Sequence, residues 1–193
     1  MLGDTNFRPT VHRQVLHKGA KFDFERLTLT GPGGPPISRE CVRHPGAVIV
    51  LPFLENPDRV VLIRNWRLSL ETYIWELPAG TLGRGEAPAH CAARELREET
   101  GYQAATLRPL SRFYTSPGLS DEVMWAFVAT GLRPGPQALE PDERVTVHPT
   151  PLDEVLGMMK QGDLVDAKSM LVILLALKEG SFGPQHPGRS AVQ

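Results

Sequence analysis

The sequence predicts an α/β domain with a small all-β unit ahead of it. Two nearly unbroken apolar stretches, residues 47–53 and 59–63, have the character of central strands buried on both faces. The segment ending Arg94-Glu95-Leu96-Arg97-Glu98-Glu99-Thr100-Gly101 reads as a helix, and further helical patterns at 151–159 and 166–179 can cover a sheet. Residues 10–43 suggest two or three strands with too few apolar side chains to form a core of their own.

With 193 residues and 41% hydrophobic content, the chain can bury one good-sized core. The expected division is a β unit over 1–43, a main domain over 44–180 and a frayed tail over 181–193. A net charge of −1 argues against a nucleic-acid binder, which needs a basic face. The N-terminus has no signal-peptide core, and the longest apolar run, 170–177, is too short to span a membrane. Cys41 and Cys91 have neither metal-finger nor disulfide-framework spacing, which fits a reducing cytoplasm. Cys91 reads as a small packing residue.

In chain order, strands are expected at 11–16, 21–30 and 37–43, the last two separated by the loop Gly31-Pro32-Gly33-Gly34-Pro35-Pro36. The strands at 47–53 and 59–63 are joined by a turn at Asn56-Pro57-Asp58. Arg64 and Arg67 follow, on a segment leading toward Gly80. An arginine after a strand is usually solvated, but here the segment points at an acidic helix, where a phosphate would need a counter-charge.

That helix is prepared by Pro88, which suits the first turn, and stopped by Gly101. At about 100° per residue, Leu96, Ala89, Ala93 and Thr100 share one side, expected to be buried, and Glu95, Glu98 and Glu99 fall on the other. Three carboxylates so close repel one another. Glu95 and Glu99, one turn apart, can share hard divalent cations with Glu98 beside them, and Mg2+ usually bridges a few carboxylates to substrate phosphates. The same spacing also fits a plain solvated acidic face. Before the helix, Gly80, Gly83 and Gly85 let backbone approach a metal or a phosphate closely.

After the helix, 106–114 and 123–129 alternate as strands around the turn Thr115-Ser116-Pro117-Gly118. A Pro-, Gly- and acid-rich loop, 131–143, precedes a strand at 145–147; long loops of this kind are often lids. The helix at 166–179 offers Met170, Leu171, Leu174, Leu175 and Leu177 as its apolar side.

Gly80, five residues, Glu86, seven residues and then Arg94-Glu95-Leu96-Arg97-Glu98-Glu99-Thr100-Gly101 resembles the box of the Nudix hydrolases at every fixed position. Tyr102 departs from the usual aliphatic residue there, which touches packing rather than chemistry. The resemblance implies an α/β/α sandwich around a mixed sheet and metal-dependent cleavage of a nucleoside diphosphate linked to another moiety. It makes Glu95, Glu98, Glu99 and the carbonyl of Ala79 metal ligands, for two or three Mg2+ (Mn2+ or another divalent ion) per site. Arg94 and Glu86 become the braces of the loop and helix.

Asn65-Trp66-Arg67 and Trp75-Glu76-Leu77-Pro78-Ala79-Gly80 are further similar to the ADP-ribose pyrophosphatase branch. By that likeness Arg67, with Arg64 as the weaker candidate, contacts the diphosphate, as Arg can do bidentately. Ser116-Pro117-Gly118 with Glu122 resembles that branch's hallmark, so Pro117 lies beside the terminal ribose and Glu122 contacts substrate or its water network. The acidic loop supplies the general base, Glu143 first and Glu140 second. Glu143, Glu140, Glu98 and Arg94 form the implied catalytic set. The adenine is expected to stack on Phe22, Phe24 or Trp66. The N-terminal sheet is exchanged between subunits in the resembled enzymes, which implies a homodimer. The implied reaction is hydrolysis of ADP-ribose or a close ADP-sugar to AMP and ribose 5-phosphate; another nucleotide sugar such as GDP-mannose, or a non-cleaving ADP-ribose sensor, is the alternative.

Overall fold

A computed structural model of the chain describes residues 10–31, 34–55, 58–141 and 143–181. The expected tail beyond Ser181, Pro32-Gly33 of the glycine-proline loop and Asn56-Pro57 of the expected turn lie outside the described residues. The chain divides into two compact units, Met1–Gly46 with Tyr114–Val123, and Ala47–Phe113 with Met124–Gln193.

The first unit holds an antiparallel sheet of β1 (Thr10–Lys18), β2 (Asp23–Thr30) and β3 (Ile37–Arg43), in that order. It has almost no interior. Every residue of β1 is exposed, and on β2 the one fully buried residue is Glu25, which pairs with Arg13 at 3.0 Å. Val11, Val15, Phe22 and Ile37 are all exposed. The loop before Val123 is tied to β3 by Val42 N–H donating to the Leu119 carbonyl at 2.9 Å and by the pair Arg43–Asp121.

In the second unit a mixed sheet runs β10-β5-β4-β9-β8, with β6 beside β5 and β7 beside β4. Its strands are β4 (Ala47–Glu55), β5 (Asp58–Arg67), β6 (Thr72–Glu76), β7 (Ala79–Thr81), β8 (Thr106–Tyr114), β9 (Val123–Thr130) and β10 (Val145–Pro151); β4 and β9 are parallel. Among the described residues three helices cover it: α1 (Pro88–Thr100), α2 (Leu152–Gln161) and α3 (Ala167–Lys178). Alternation along β4 sorts the layers. Val48 and Val50 pack with Cys91, Ala92 and Leu96 of α1, whereas Ile49, Leu51 and Phe53 pack with Val155 of α2 and Val172, Ile173 and Ala176 of α3. Each Val, Leu, Ile or Phe among them gains about 1.5–3 kcal/mol by leaving water. The result is the expected α/β/α sandwich.

Three expectations change. β6 and β7 went unread because they are short, interrupted by Leu77-Pro78, and recruited by the edges of β5 and β4. On α1 the buried arc is Cys91, Ala92, Glu95, Leu96, Glu99 and Thr100, while Ala89 and Ala93 are exposed. Two glutamates expected to face outward therefore point inward, because β7 passes under them. On α3 the buried stripe is Ser169, Val172, Ile173 and Ala176, with Leu171 and Leu174 left exposed. That helix is apolar nearly all round, so periodicity could not choose its face, and the sheet took the compact side.

Candidate active site

β7 delivers the floor of the site. A Cβ on Gly80 would lie 1.9 Å from the Glu95 carboxyl carbon, so any side chain here would push that carboxylate out of its present place. One residue earlier, Ala79 N–H donates to Glu99 Oε2 at 2.8 Å. Glu95 and Glu99 are 7% and 4% exposed, buried carboxylates that need a cation or several donors.

Burial raises the Glu99 carboxyl well above its usual value; the Ala79 N–H opposes this, and the charges of Glu95, Glu143 and Glu76 add to it. Glu95 is raised too, chiefly by burial, and is partly held down by Arg94. Glu143 acts on both carboxyls, so the loop carboxylate and the two helical ones share one electrostatic neighbourhood.

Arg94 is the hub on the outer side. Its Nε and Nη2 donate to Glu86 at 3.0 Å each, and its Nη1 donates to Glu95 at 2.7 Å and to Glu98 at 3.0 Å. These hydrogen bonds, those to Glu86 first, raise the Arg94 pKa and hold Glu86 down at about 2. Glu86 Oε2 also accepts Gly83 N–H at 2.8 Å, closing the glycine loop onto the helix. Buried Cys91 beside them has its thiol pushed up to about 12 by desolvation, as an unreactive packing residue should.

The loop over the site is anchored to the last turn of α1. Gln137 Nε2 donates to the Glu99 carbonyl at 2.6 Å, and Ala138 N–H donates to the Glu98 carbonyl at 3.0 Å. Beyond these ties Glu140 and Glu143 close a turn: Glu140 N–H donates to Glu143 Oε2 at 2.8 Å, and Glu143 N–H to the Glu140 carbonyl at 3.0 Å. Glu140 is exposed and Glu143 half-buried.

Arg64 and Arg67 part company because they lie three apart on β5 and so take opposite faces. The Arg64 guanidinium stacks over Trp75, 4.9 Å from the ring centre. Arg67 grips buried Glu76 at 2.9 and 2.7 Å. Trp66 is turned edge-on to Tyr73, with ring centres 5.0 Å apart. Pro117 and Glu122 belong to the first unit. There Pro117 is exposed in a turn, and Glu122 takes the Thr115 hydroxyl at 2.5 Å and sits 3.6 Å from His44 Nε2.

Sequence reasoning passed over Glu76, Lys168 and Gln137. Glu76 carried a signal, a carboxylate inside the apolar run Ile74-Trp75-Glu76-Leu77; the other two had none, since their partners are distant in sequence.

The donor set suits a hard dication: two buried carboxylates, with Glu95 raising Glu99, over a floor cleared of side chain by Gly80. Among the described residues no group of three or more His, Cys, Asp or Glu side chains is arranged to hold a metal ion.

Residues 43–179 match the family model of the NUDIX domain. The ADP-ribose pyrophosphatase of Bacillus subtilis (strain 168) is 37% identical over 173 residues, 88% of this chain and 93% of that protein. The methanol dehydrogenase activator of Bacillus methanolicus is 41% identical over 166 residues, 85% of this chain and 89% of that protein. A solved structure, "Crystal structure of ADP compounds hydrolase", shares the fold with a TM-score of 0.79 at 22% identity, covering 92% of this chain and 98% of its own. The chain belongs to the NUDIX domain family and is a Nudix hydrolase.

Proposed function

We propose that the enzyme hydrolyses the diphosphate linkage of ADP-ribose, or of a close ADP-sugar, to AMP and ribose 5-phosphate. The observation that carries this is the buried pair Glu95 and Glu99 over Gly80, with Glu143 acting on both, in a chain 37% identical to an ADP-ribose pyrophosphatase.

Glu95, Glu98, Glu99 and the Ala79 carbonyl are the proposed ligands of two or three Mg2+, with Mn2+ an acceptable substitute. The cations supply neutralisation of the diphosphate and acidification of the attacking water. Arg94 holds Glu95 and Glu98 from the side, so the carboxylates keep their spacing while charge in the site changes. Glu143 is the proposed base: its carboxylate takes the proton of the attacking water, and the anchored loop keeps it over α1. Glu140 is the second choice, because it is exposed and turned back on Glu143. Arg67 meets the diphosphate as its charge redistributes, with Arg64 set aside on the opposite face of β5. Pro117 and Glu122 are proposed contacts of the terminal ribose.

A homodimer is proposed as the working state, supported by the exposed apolar residues of a three-stranded sheet that has no core of its own. Free Cys41 and Cys91 accord with a cytoplasmic protein, and no described helix is long and apolar enough to cross a membrane.

The test is a hydrolysis screen in Mg2+ over ADP-ribose, ADP-glucose, GDP-mannose, NADH and nucleoside triphosphates, with products resolved. ADP-ribose is expected to give the highest kcat/KM, with AMP as product. Preference for GDP-mannose overturns the specificity. Binding of ADP-ribose without turnover, unchanged by joint Glu95→Gln and Glu99→Gln substitution, points instead to a sensor.

A further inference from the structure

Arg67 is not free to swing. Its Nε and Nη2 both donate to Glu76, a carboxylate only 1% exposed. The same carboxylate accepts from Asn65 Nδ2 at 3.2 Å and from Lys168 Nζ at 3.3 Å, and Lys168 also donates to Asp166 at 2.8 Å. Two cations and two anions thus form one chain from β5 through β6 to the first turn of α3.

Stability is a poor reason for such a quartet, because removing charges from water costs about what their pairing returns. Orientation is a better one. A guanidinium has five N–H donors, and Glu76 takes only the edge made by Nε and Nη2. Arg67 Nη1 donates to nothing among the described residues, while the side chain stays 39% exposed. The first turn of α3 also holds the approach to Ala79: Asp166 Oδ2 accepts the Ser169 N–H and hydroxyl, and Ser169 Oγ accepts Leu77 N–H at 2.8 Å.

We propose that Lys168, acting through Glu76, positions Arg67 so that its Nη1 edge is offered to the substrate's diphosphate. This rests on the reading of the enzyme as a diphosphate hydrolase. Lys168 is a positioning residue and touches no substrate. Its charge has a second effect: with Lys168 present, Glu76 has another cation, and Arg67 can share its own charge with an incoming anion. Without it Glu76 draws on Arg67 alone, and less of the Arg67 charge is left for the incoming anion.

A double-mutant cycle tests this with Lys168→Met, Lys168→Arg and Arg67→Ala, read as KM and kcat for ADP-ribose and as Kd for its non-hydrolysable α,β-methylene analogue by calorimetry. Lys168→Met is expected to raise KM and Kd about tenfold while kcat changes far less, the loss of roughly one charge-assisted hydrogen bond. Lys168→Arg should restore most of the affinity, and Lys168→Met should add nothing in the Arg67→Ala background. An unchanged Kd in Lys168→Met, or an equal rise with Arg67 already removed, overturns the proposal. Absence of turnover on every diphosphate with the Kd cycle as expected would overturn the hydrolase reading alone.

Discussion

At the scale of single residues the site is governed by where the glutamates are buried. Burial holds the Glu99 carboxyl well above its usual 4.5, so the folded chain keeps a proton there that the unfolded chain has released. The stability from that proton is fully present below about 4.5 and is lost as pH rises through the folded value. Glu86 runs the other way: its folded value of about 2 gives stability that is present above 4.5 and lost as pH falls through about 2. In EDTA, the melting temperature should therefore fall between mildly acidic and neutral pH, and Glu99→Gln should flatten that decline. A parallel decline in the variant would show that Glu99 is not its source. For Glu143 the expected outcome is a loss of about 10²–10⁴ in kcat on Glu143→Gln with KM little changed, while Glu140→Gln stays near wild type. Steady-state kinetics decides, and the reverse order would move the base to Glu140.

At the scale of elements, β7 passes under the Glu95 carboxylate of α1 at a residue with no side chain. Gly80→Ala brings a Cβ to 1.9 Å of the Glu95 carboxyl carbon, so the Glu95 carboxylate must swing off the floor of the site. Overpacking of this kind costs about 1–3 kcal/mol. The variant should melt lower by a corresponding amount and need more Mg2+ for half-maximal activity, read from thermal melts and a metal titration. Unchanged metal dependence would show that Glu95 does not face the cations. α1 itself stops at Gly101, whose left-handed φ of 75° and approach to the Gly135 carbonyl keep the acidic loop against the last turn.

At the scale of the whole molecule, the first unit is the part that cannot account for itself. Val11 and Val15 stand 45% and 44% exposed on a strand with no buried residue, and edge strands of this kind invite a partner. Under the dimer proposal, Val11→Asp with Val15→Asp should give a monomer by light scattering with far-UV circular dichroism retained. A wild-type protein that is monomeric at micromolar concentration would sink the dimer.

Much of this was legible in the residues. The strands Ala47–Glu55 and Asp58–Arg67, the helix Pro88–Thr100 and its glutamate spacing follow from apolar runs, capping and turn chemistry, all of which are local. The register of 3.6 residues per turn put Glu95 and Glu99 side by side, but their roles, and that of Arg94, came from the resemblance to the Nudix box. What depended on distant partners was hidden. The inward turn of Glu95 and Glu99 was decided by β7, a three-residue strand that exists only because β4 offers it an edge. Arg67 and Arg64 looked alike in sequence and were separated by the alternation of β5, and Arg67 was then fixed by Glu76 and by Lys168, about a hundred residues downstream. The sequence by itself determined the family, the helix and its carboxylates, because those are short-range patterns. Which charges are buried, and against what, only the tertiary structure decided, because burial is a property of everything packed around a residue.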